Sequence, residues 1–183
     1  MALGTVFFGL DYGSSVIKKR IDDGTIREIL DYSRNYGIKC LDTAPGYGDS
    51  EKRIAAYLQV NPVNEGNYRL VTKTPGFDEK DSFIKIYDIF RSSIEKLREA
   101  LPENIVVDLL CHQADGFIGS NRNYVYEALD RLRSDGLVKK IGISVYTESQ
   151  ICDFNKDWII NIVQIPNNVV DQRLVRSDRL AAI

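Results

Sequence analysis

The regular alternation of short apolar runs with longer amphipathic segments most constrains how this chain can fold. We expect strands at residues 5–10, 39–42, 68–73, 106–112, 140–144 and 161–165. We expect helices at residues 24–36, 51–58, 83–100, 123–134 and 148–154, with Gly136 ending the fourth of them. Strands that alternate with helices in this way predict a parallel sheet with right-handed crossovers.

Such a sheet can stay open or close into a barrel, and the polar residues favour the barrel. An open dinucleotide-binding sheet has a G-x-G-x-x-G turn after its first strand, but GLDYG and GYG are the only near matches here. Barrel enzymes instead collect their reactive residues at the carboxyl ends of the strands. We therefore predict an α/β fold of the parallel (β/α)8 barrel type, incomplete because about six strands are visible, in a single domain over 1–183.

Composition excludes several classes of protein. The 24 basic and 26 acidic residues give a net charge of −2, so we expect neither nucleic acid nor an anionic membrane as a partner. Residues 1–8 lack the pattern of a secretory signal and no apolar run is long enough to span a membrane, so we expect a cytoplasmic protein. Cys40, Cys111 and Cys152 are widely spaced without a C-x-x-C, which predicts buried fillers and no metal site.

Four reactive side chains lie at or just after the ends of predicted strands. Asp42 ends the second strand, and Tyr47 follows it across a Pro/Gly turn in the segment LDTAPGYGDSE. Lys73 ends the third strand, and His112, the single histidine, ends the fourth. We expect Ser50 to cap the next helix.

Strand periodicity also limits what the fourth strand can do. Side chains alternate across a strand, so Cys111 must face away from His112, which argues against a thiol nucleophile with a histidine base. The same alternation turns Asp108 inward with His112, and we expect an irregularity of the strand or a starting turn there.

The segments LDTAPGYGDSE, VTK, LLCHQ and GLVKKIGISVY resemble aldo-keto reductases over nearly the whole chain. This resemblance implies a (β/α)8 barrel that binds NADPH, with NADH as an alternative, and reduces an aldehyde or a ketone. It also implies that Asp42, Tyr47, Lys73 and His112 are catalytic. Tyr47 would act as general acid, Lys73 would stabilise the phenolate, Asp42 would orient Lys73, and His112 would hydrogen-bond the substrate oxygen.

The resemblance further implies contacts to the cofactor. Its candidate cofactor-binding residues are Gly4, Thr5, Val6, Asp42, Ser144 and Gln164. The first three match the strand-one segment near the nicotinamide ribose, and Ser144 and Gln164 match the residues at the carboxamide. The family often has Asn after the serine, whereas this chain has Val145.

Compared with full-length members of the family, the chain is expected to lack the last two strand-helix units. We therefore expect weak or no cofactor affinity for this polypeptide alone, and self-association through the open edges of the first and sixth strands. The segments GTVFFGLDYG and QIPNNVVDQRL resemble a bacterial branch of the family associated with surface-polysaccharide sugars.

Two other functions stay open at this point. One is a non-catalytic barrel remnant or interaction protein that keeps the fold. The other is a barrel aldolase that forms a Schiff base through Lys73, which borohydride trapping would reveal. The substrate is expected to be a small carbonyl compound, and the sequence does not identify it.

Overall fold

The computed structural model describes residues 1–11, 21–63, 68–151 and 158–176. Its strands are β1 (Ala2–Gly4), β2 (Cys40–Asp42), β3 (Arg69–Lys73), β4 (Val106–Cys111), β5 (Ile141–Ser144) and β6 (Ile162–Gln164). Its α-helices are α1 (Val6–Gly9), α2 (Asp23–Asn35), α3 (Ser50–Val60), α4 (Phe83–Ala100) and α5 (Arg122–Ser134). Two 3₁₀ turns lie at Ala114–Phe117 and Glu148–Ile151.

The chain divides into two compact units, and α4 and β4 each contribute to both. Unit 1 consists of residues 1–73 and 93–108, and unit 2 consists of residues 74–92 and 109–183. The prediction of a single domain over 1–183 is not tested by this division and stays a prediction.

Unit 1 contains the strands β1, β2 and β3 and the first half of β4. The β1–β2 and β2–β3 pairs are parallel, with Gly4 opposite Asp42 and Asp42 opposite Val71. The first half of β4 lies next to β3, where the Val106 N–H donates to the Tyr68 carbonyl at 3.2 Å. Parallel pairing of this kind places the carboxyl ends of neighbouring strands at one edge of the sheet.

Helix α2 shows why this sequence forms a helix with one buried face. Asp22 caps it, accepting a hydrogen bond from the Thr25 N–H at 2.9 Å. Ile26, Leu30 and Ser33 share its buried face at helical spacing, and Leu30 is completely inaccessible. The helix ends at Asn35, and Gly37 turns the chain toward β2 with a φ of +74°.

Unit 2 contains the second half of β4 together with β5 and β6. All of these strands run parallel, with Cys111 opposite Ile143 and Ser144 opposite Gln164. Helix α5 turns Val125, Leu129 and Leu132 into the core of this unit, as the sequence predicts. No helix in the described part of the chain is both long enough and apolar enough to cross a membrane.

The approach to β6 is built on aromatic contacts. The ring of Trp158 stacks on that of Tyr126 with 4.8 Å between centroids and 8° between planes. The rings of Phe117 and Trp158 are nearly perpendicular, with 5.6 Å between their centroids and 80° between their planes. The Tyr126 hydroxyl accepts a hydrogen bond from the Ile159 N–H at 3.0 Å, which holds the chain just before β6.

Some predictions from the sequence are wrong. The predicted strand at 5–10 is replaced by β1 at Ala2–Gly4 and by a short helix, in which the Leu10 N–H donates to the Val6 carbonyl at 3.0 Å. The apolar run has no alternation, so its pattern suits either structure. Ser50 is not a helix cap: Asp49 occupies that position and Ser50 begins α3.

Other expectations need smaller corrections. The helix predicted at 148–154 is a 3₁₀ turn over Glu148–Ile151. Residues 152–154, which include Cys152, lie outside the described part. Asp108 lies in a regular strand, where it is completely buried and pairs with the Arg69 guanidinium. Cys40 is half-buried rather than buried.

Candidate active site

Lys73 is the centre of the polar cluster in unit 1. Although it is a lysine, its side chain is only 2% exposed. Its Nζ donates to Asp42 Oδ1 at 2.8 Å and to the Thr43 carbonyl at 2.9 Å. The ammonium also lies over the ring of Tyr47, 4.9 Å from the ring centroid. A buried ammonium with a carboxylate, a carbonyl and an aromatic face around it is fixed in both place and direction.

The positions of Asp42 and Lys73 follow from the parallel register. Both are the last residues of neighbouring strands, and β3 extends two residues beyond Val71, the register partner of Asp42. The Thr43 N–H continues the pairing by donating to the Val71 carbonyl at 2.9 Å. Consequently the Thr43 carbonyl and the Asp42 carboxylate both reach the lysine that ends β3.

Tyr47 is held by the backbone of its own loop. The Tyr47 N–H donates to the Ala44 carbonyl at 2.9 Å, and the Ser50 N–H donates to the Tyr47 carbonyl at 3.2 Å. Gly48 has a φ of +61°, a conformation that favours glycine and turns the chain into α3.

A second glycine, Gly9 at the end of α1, allows this loop to pack closely. A Cβ built on Gly9 would lie 1.8 Å from the Tyr47 carbonyl oxygen and 2.7 Å from the Ser50 nitrogen. No side chain fits there, so α1 touches the loop backbone directly. Gly9 was missed from the sequence because the predicted strand at 5–10 placed it in an extended run.

Glu51 is a further carboxylate near Lys73 that the sequence reasoning did not single out. It lies in the first turn of α3 and accepts a hydrogen bond from the buried Thr72 hydroxyl. Burial raises the pKa of Glu51, while the Thr72 hydroxyl and the charge of Lys73 act in the opposite direction. The signal for it in the sequence is its place directly after Ser50 in LDTAPGYGDSE.

His112 belongs to unit 2, where it follows the last residue of β4. The backbone N–H of His112 donates to the Thr74 hydroxyl at 3.1 Å. It lines a cleft of about 290 Å³ together with Phe77, Glu79, Gln113, Ala114, Asp115, Gly116, Tyr146 and Gln150. The sequence placed His112 at the carboxyl end of a strand, and the structure places it there.

The walls of this cleft are joined by side-chain hydrogen bonds. Gln150 Nε2 donates to Asp115 Oδ1 at 2.8 Å, and Gln150 Oε1 accepts from the Tyr146 N–H at 2.7 Å. Gln113 Oε1 accepts from the Phe77 N–H at 2.9 Å. The cleft therefore has a polar lining whose ionisable groups include two carboxylates.

Cys111, next to His112, has the environment of an inert thiol. It is completely buried, and burial raises its pKa to about 12. Its Sγ donates to the Gln113 carbonyl at 3.3 Å. A thiolate at this position would be far too costly to form near neutral pH, which removes the thiol-nucleophile reading. Among the residues that the structure describes, no group of three or more His, Cys, Asp and Glu is placed to hold a metal ion.

The predicted cofactor-binding residues lie at the ends of strands in both units. In unit 2, Ser144 is buried and Gln164 is half-buried, and they are register partners at the ends of β5 and β6. In unit 1, Gly4 is exposed and ends β1, and no atom lies within 4 Å of a Cβ built on it. The Thr5 hydroxyl and N–H both donate to the Asp42 carbonyl, which favours Gly4 over Thr5 for a cofactor contact. Val6, the first residue of α1, is half-buried.

Comparison with known sequences decides the family. The model of the aldo/keto reductase family matches residues 1–181. The chain belongs to the aldo/keto reductase family. Among curated aldo/keto reductase relatives, a D-threo-aldose 1-dehydrogenase from a Pseudomonas species is 30% identical over 173 residues. The match covers 78% of this chain and 51% of that protein, so the chain spans about half the length of this relative.

Solved structures give the same fold. An aldo-keto reductase from Pseudomonas aeruginosa is 25% identical, with a TM-score of 0.71 over 93% of this chain and 64% of its own. An aldose reductase from Giardia lamblia is 16% identical, with a TM-score of 0.60 over 79% of this chain and 53% of its own, and shows the fold alone. The predicted aldo/keto reductase fold class is confirmed, since the described residues hold six parallel strands of an incomplete (β/α)8 barrel.

Proposed function

We propose that this chain carries the catalytic residues of an oxidoreductase that reduces an aldehyde or ketone with NADPH or NADH, with Tyr47 as general acid. The observation that carries the proposal is the Lys73 ammonium, held by Asp42 and placed over the Tyr47 ring. Membership of the aldo/keto reductase family supports the same reaction class.

Each residue of this cluster has a task in the proposed reaction. As a carbonyl is reduced, negative charge develops on its oxygen and a proton must be delivered there. The Tyr47 hydroxyl gives that proton, and the nearby Lys73 ammonium stabilises the phenolate that is left. Asp42 and the Thr43 carbonyl keep the ammonium in place. In the reverse direction the phenolate takes the proton back from an alcohol.

The predicted cofactor residues suit one end of a nicotinamide cofactor. When bound, this cofactor supplies the hydride that the reduction needs. A hydroxyl and a primary amide, from Ser144 and Gln164, are neighbours at the ends of β5 and β6. Together they can donate to and accept from a carboxamide, which has the same two kinds of group. Gly4 leaves open space at the end of β1, next to Asp42 in the register.

The cleft around His112 supports an uncharged, hydroxyl-rich substrate. Glu79 and Asp115 are exposed carboxylates in its lining, and they disfavour a phosphate or carboxylate on the substrate. Gln113, Gln150 and Tyr146 add amide and phenol groups that can bond to hydroxyls. We therefore assign a neutral aldose to this chain as its substrate class, in line with the named substrate of the Pseudomonas relative. His112 is assigned the hydrogen bond to the substrate oxygen.

The structure gives little support to a Schiff-base aldolase. A lysine that attacks a carbonyl must be an uncharged amine with an open face. Lys73 is buried, and its nitrogen already donates to Asp42 and Thr43. The aldolase reading predicts a borohydride-trapped adduct at Lys73, whereas the reductase reading predicts none.

The proposal is tested by replacing Tyr47 with phenylalanine. Tyr47→Phe keeps the ring over Lys73 and removes only the hydroxyl, so we expect the same NADPH affinity as in the unmodified chain and a fall in turnover of about 10²-fold or more. Turnover is measured as NADPH oxidation with a panel of aldehydes and aldoses, and as aldose oxidation with NADP⁺ and NAD⁺. Tyr32→Phe, at an exposed tyrosine of α2, is the matched control, and its turnover should equal that of the unmodified chain.

Two results would contradict the proposal. Equal turnover of the Tyr47→Phe and Tyr32→Phe variants would exclude Tyr47 as the acid. A folded, unmodified chain that neither binds a nicotinamide cofactor nor turns over any aldehyde would support the reading as a non-catalytic remnant.

A further inference from the structure

Three hydroxyls form a buried cluster where β1, β2 and α3 meet in unit 1. Thr5, Thr43 and Ser50 are each completely inaccessible. The Thr43 hydroxyl donates to Ser50 Oγ at 3.1 Å. Ser50 Oγ lies 2.9 Å from Thr5 Oγ1 and 3.0 Å from the Thr5 carbonyl, toward which it can donate.

The cluster is attached to both residues that hold Lys73. Thr43 accepts from Lys73 Nζ through its carbonyl at 2.9 Å. The carbonyl of Asp42, whose carboxylate accepts from the same nitrogen, takes hydrogen bonds from the Thr5 hydroxyl at 2.8 Å and the Thr5 N–H at 3.0 Å. Moving any of the three hydroxyls would therefore move an acceptor of the ammonium.

Stability alone does not require such a cluster. Replacing hydrogen-bonded buried groups together by apolar groups of the same shape can be close to neutral for stability. A buried polar network does, however, fix one backbone arrangement, because each unsatisfied member is costly. Positioning a reactive group demands tolerances of about half an ångström, which are met when packing and hydrogen bonds from surrounding residues act together.

We propose that Thr5, Thr43 and Ser50 are positioning residues that set the place and direction of the Lys73 ammonium. Their hydroxyls bond to one another and to backbone carbonyls, so in this role they act through Asp42 and Thr43. The inference extends the proposed function, on which its kinetic part rests, but the geometry of Lys73 can be tested without turnover.

The test uses Ser50→Ala and Thr43→Val, which remove one hydroxyl each, and Thr43→Ser, which keeps the hydroxyl. Ser33→Ala is the matched control, because Ser33 is a buried serine of α2 in the same unit and outside the cluster. Acylation of Lys73 in the native chain by acetic anhydride is followed by peptide mass spectrometry. We expect Ser50→Ala and Thr43→Val to raise the rate at Lys73 about fivefold, the factor that corresponds to one buried hydrogen bond.

The controls separate positioning from general loosening of the fold. Thr43→Ser and Ser33→Ala should leave the acylation rate of Lys73 unchanged, and the acylation rates of exposed lysines should be the same in all variants. Where turnover is measurable, the pH profile should shift in Ser50→Ala and Thr43→Val and should stay that of the unmodified chain in Thr43→Ser. If Thr43→Val does not fold, Ser50→Ala decides alone.

Two outcomes overturn the inference. One is an acylation rate of Lys73 in Ser50→Ala equal to that in Ser33→Ala. The other is an acylation rate of Lys73 that rises as much in Thr43→Ser as in Thr43→Val. A chain without turnover would contradict the proposed function, whereas the acylation rates would still decide whether the hydroxyls hold Lys73.

Discussion

Glu51 shows how one buried acid links folding to pH. Burial raises its pKa, so the folded chain holds this proton above the pH at which the unfolded chain releases it. The free energy of unfolding therefore has a contribution that decreases as pH rises from the ordinary glutamate value of 4.5 to the raised folded value. We predict that Glu51→Gln removes this decrease, because glutamine still accepts from the Thr72 hydroxyl. Urea unfolding of both chains from acid to neutral pH measures this pH dependence of the free energy of unfolding.

An exposed glutamate supplies the control for this prediction. Glu28 lies on the exposed face of α2, and Glu28→Gln should leave the pH dependence of unfolding as it is in the unmodified chain. Parallel curves for Glu51→Gln and the unmodified chain would show that Glu51 titrates alike in the folded and unfolded states.

Single residues also show where prediction from sequence stops. Asp42, Lys73 and His112 stand out because the carboxyl ends of parallel strands are where reactive side chains gather. The hydroxyl cluster does not, because Thr5 and Ser50 are 45 positions apart and their contact depends on how α1 and α3 pack. Periodicity carries no information on such a contact. The roles of the predicted residues stay predictions.

The pairing of β5 with β6 depends on the absence of a side chain at Gly142. A Cβ at this position would lie 2.0 Å from the Ile162 carbonyl oxygen and 2.8 Å from Leu110 Cδ2. We predict that Gly142→Ala pushes β6 away from β5 and lowers the free energy of unfolding by about 1–3 kcal/mol. Urea unfolding is the measurement. Gly4→Ala, where no atom lies within 4 Å of the added carbon, should change stability little; equal losses would contradict the steric argument.

Secondary-structure elements with a strong internal pattern were predicted well. The bounds of α4 agree with the structure at both ends, since its 18 residues keep a helical apolar stripe without glycine or proline. The predicted strand at 5–10 was wrong because five consecutive apolar or glycine residues carry no period. There the packing of Phe8 into the core and of Gly9 against the Tyr47 loop determines the structure.

At the scale of the whole molecule, the two units share secondary structure. The chain passes between them after Lys73, within α4 and within β4. Half of a helix or of a strand gains little stability without the other half, so we predict one cooperative unfolding transition. Pulsed hydrogen exchange with mass spectrometry across a urea series should give the same midpoint for peptides of α2 in unit 1 and of α5 in unit 2. Separate midpoints would show that the units unfold independently.

The stack of Trp158 on Tyr126 determines which part of this protein its intrinsic tryptophan fluorescence reports on. Trp158 is the single tryptophan, and its neighbours Tyr126 and Phe117 belong with it to unit 2. Indole emission therefore reports first on the entrance to β6, and a change in it indicates a rearrangement there. An optical label for unit 1 has to be introduced. Tyr32 on α2, which is 63% exposed, is a place where an indole can be added without disturbing the core of that unit.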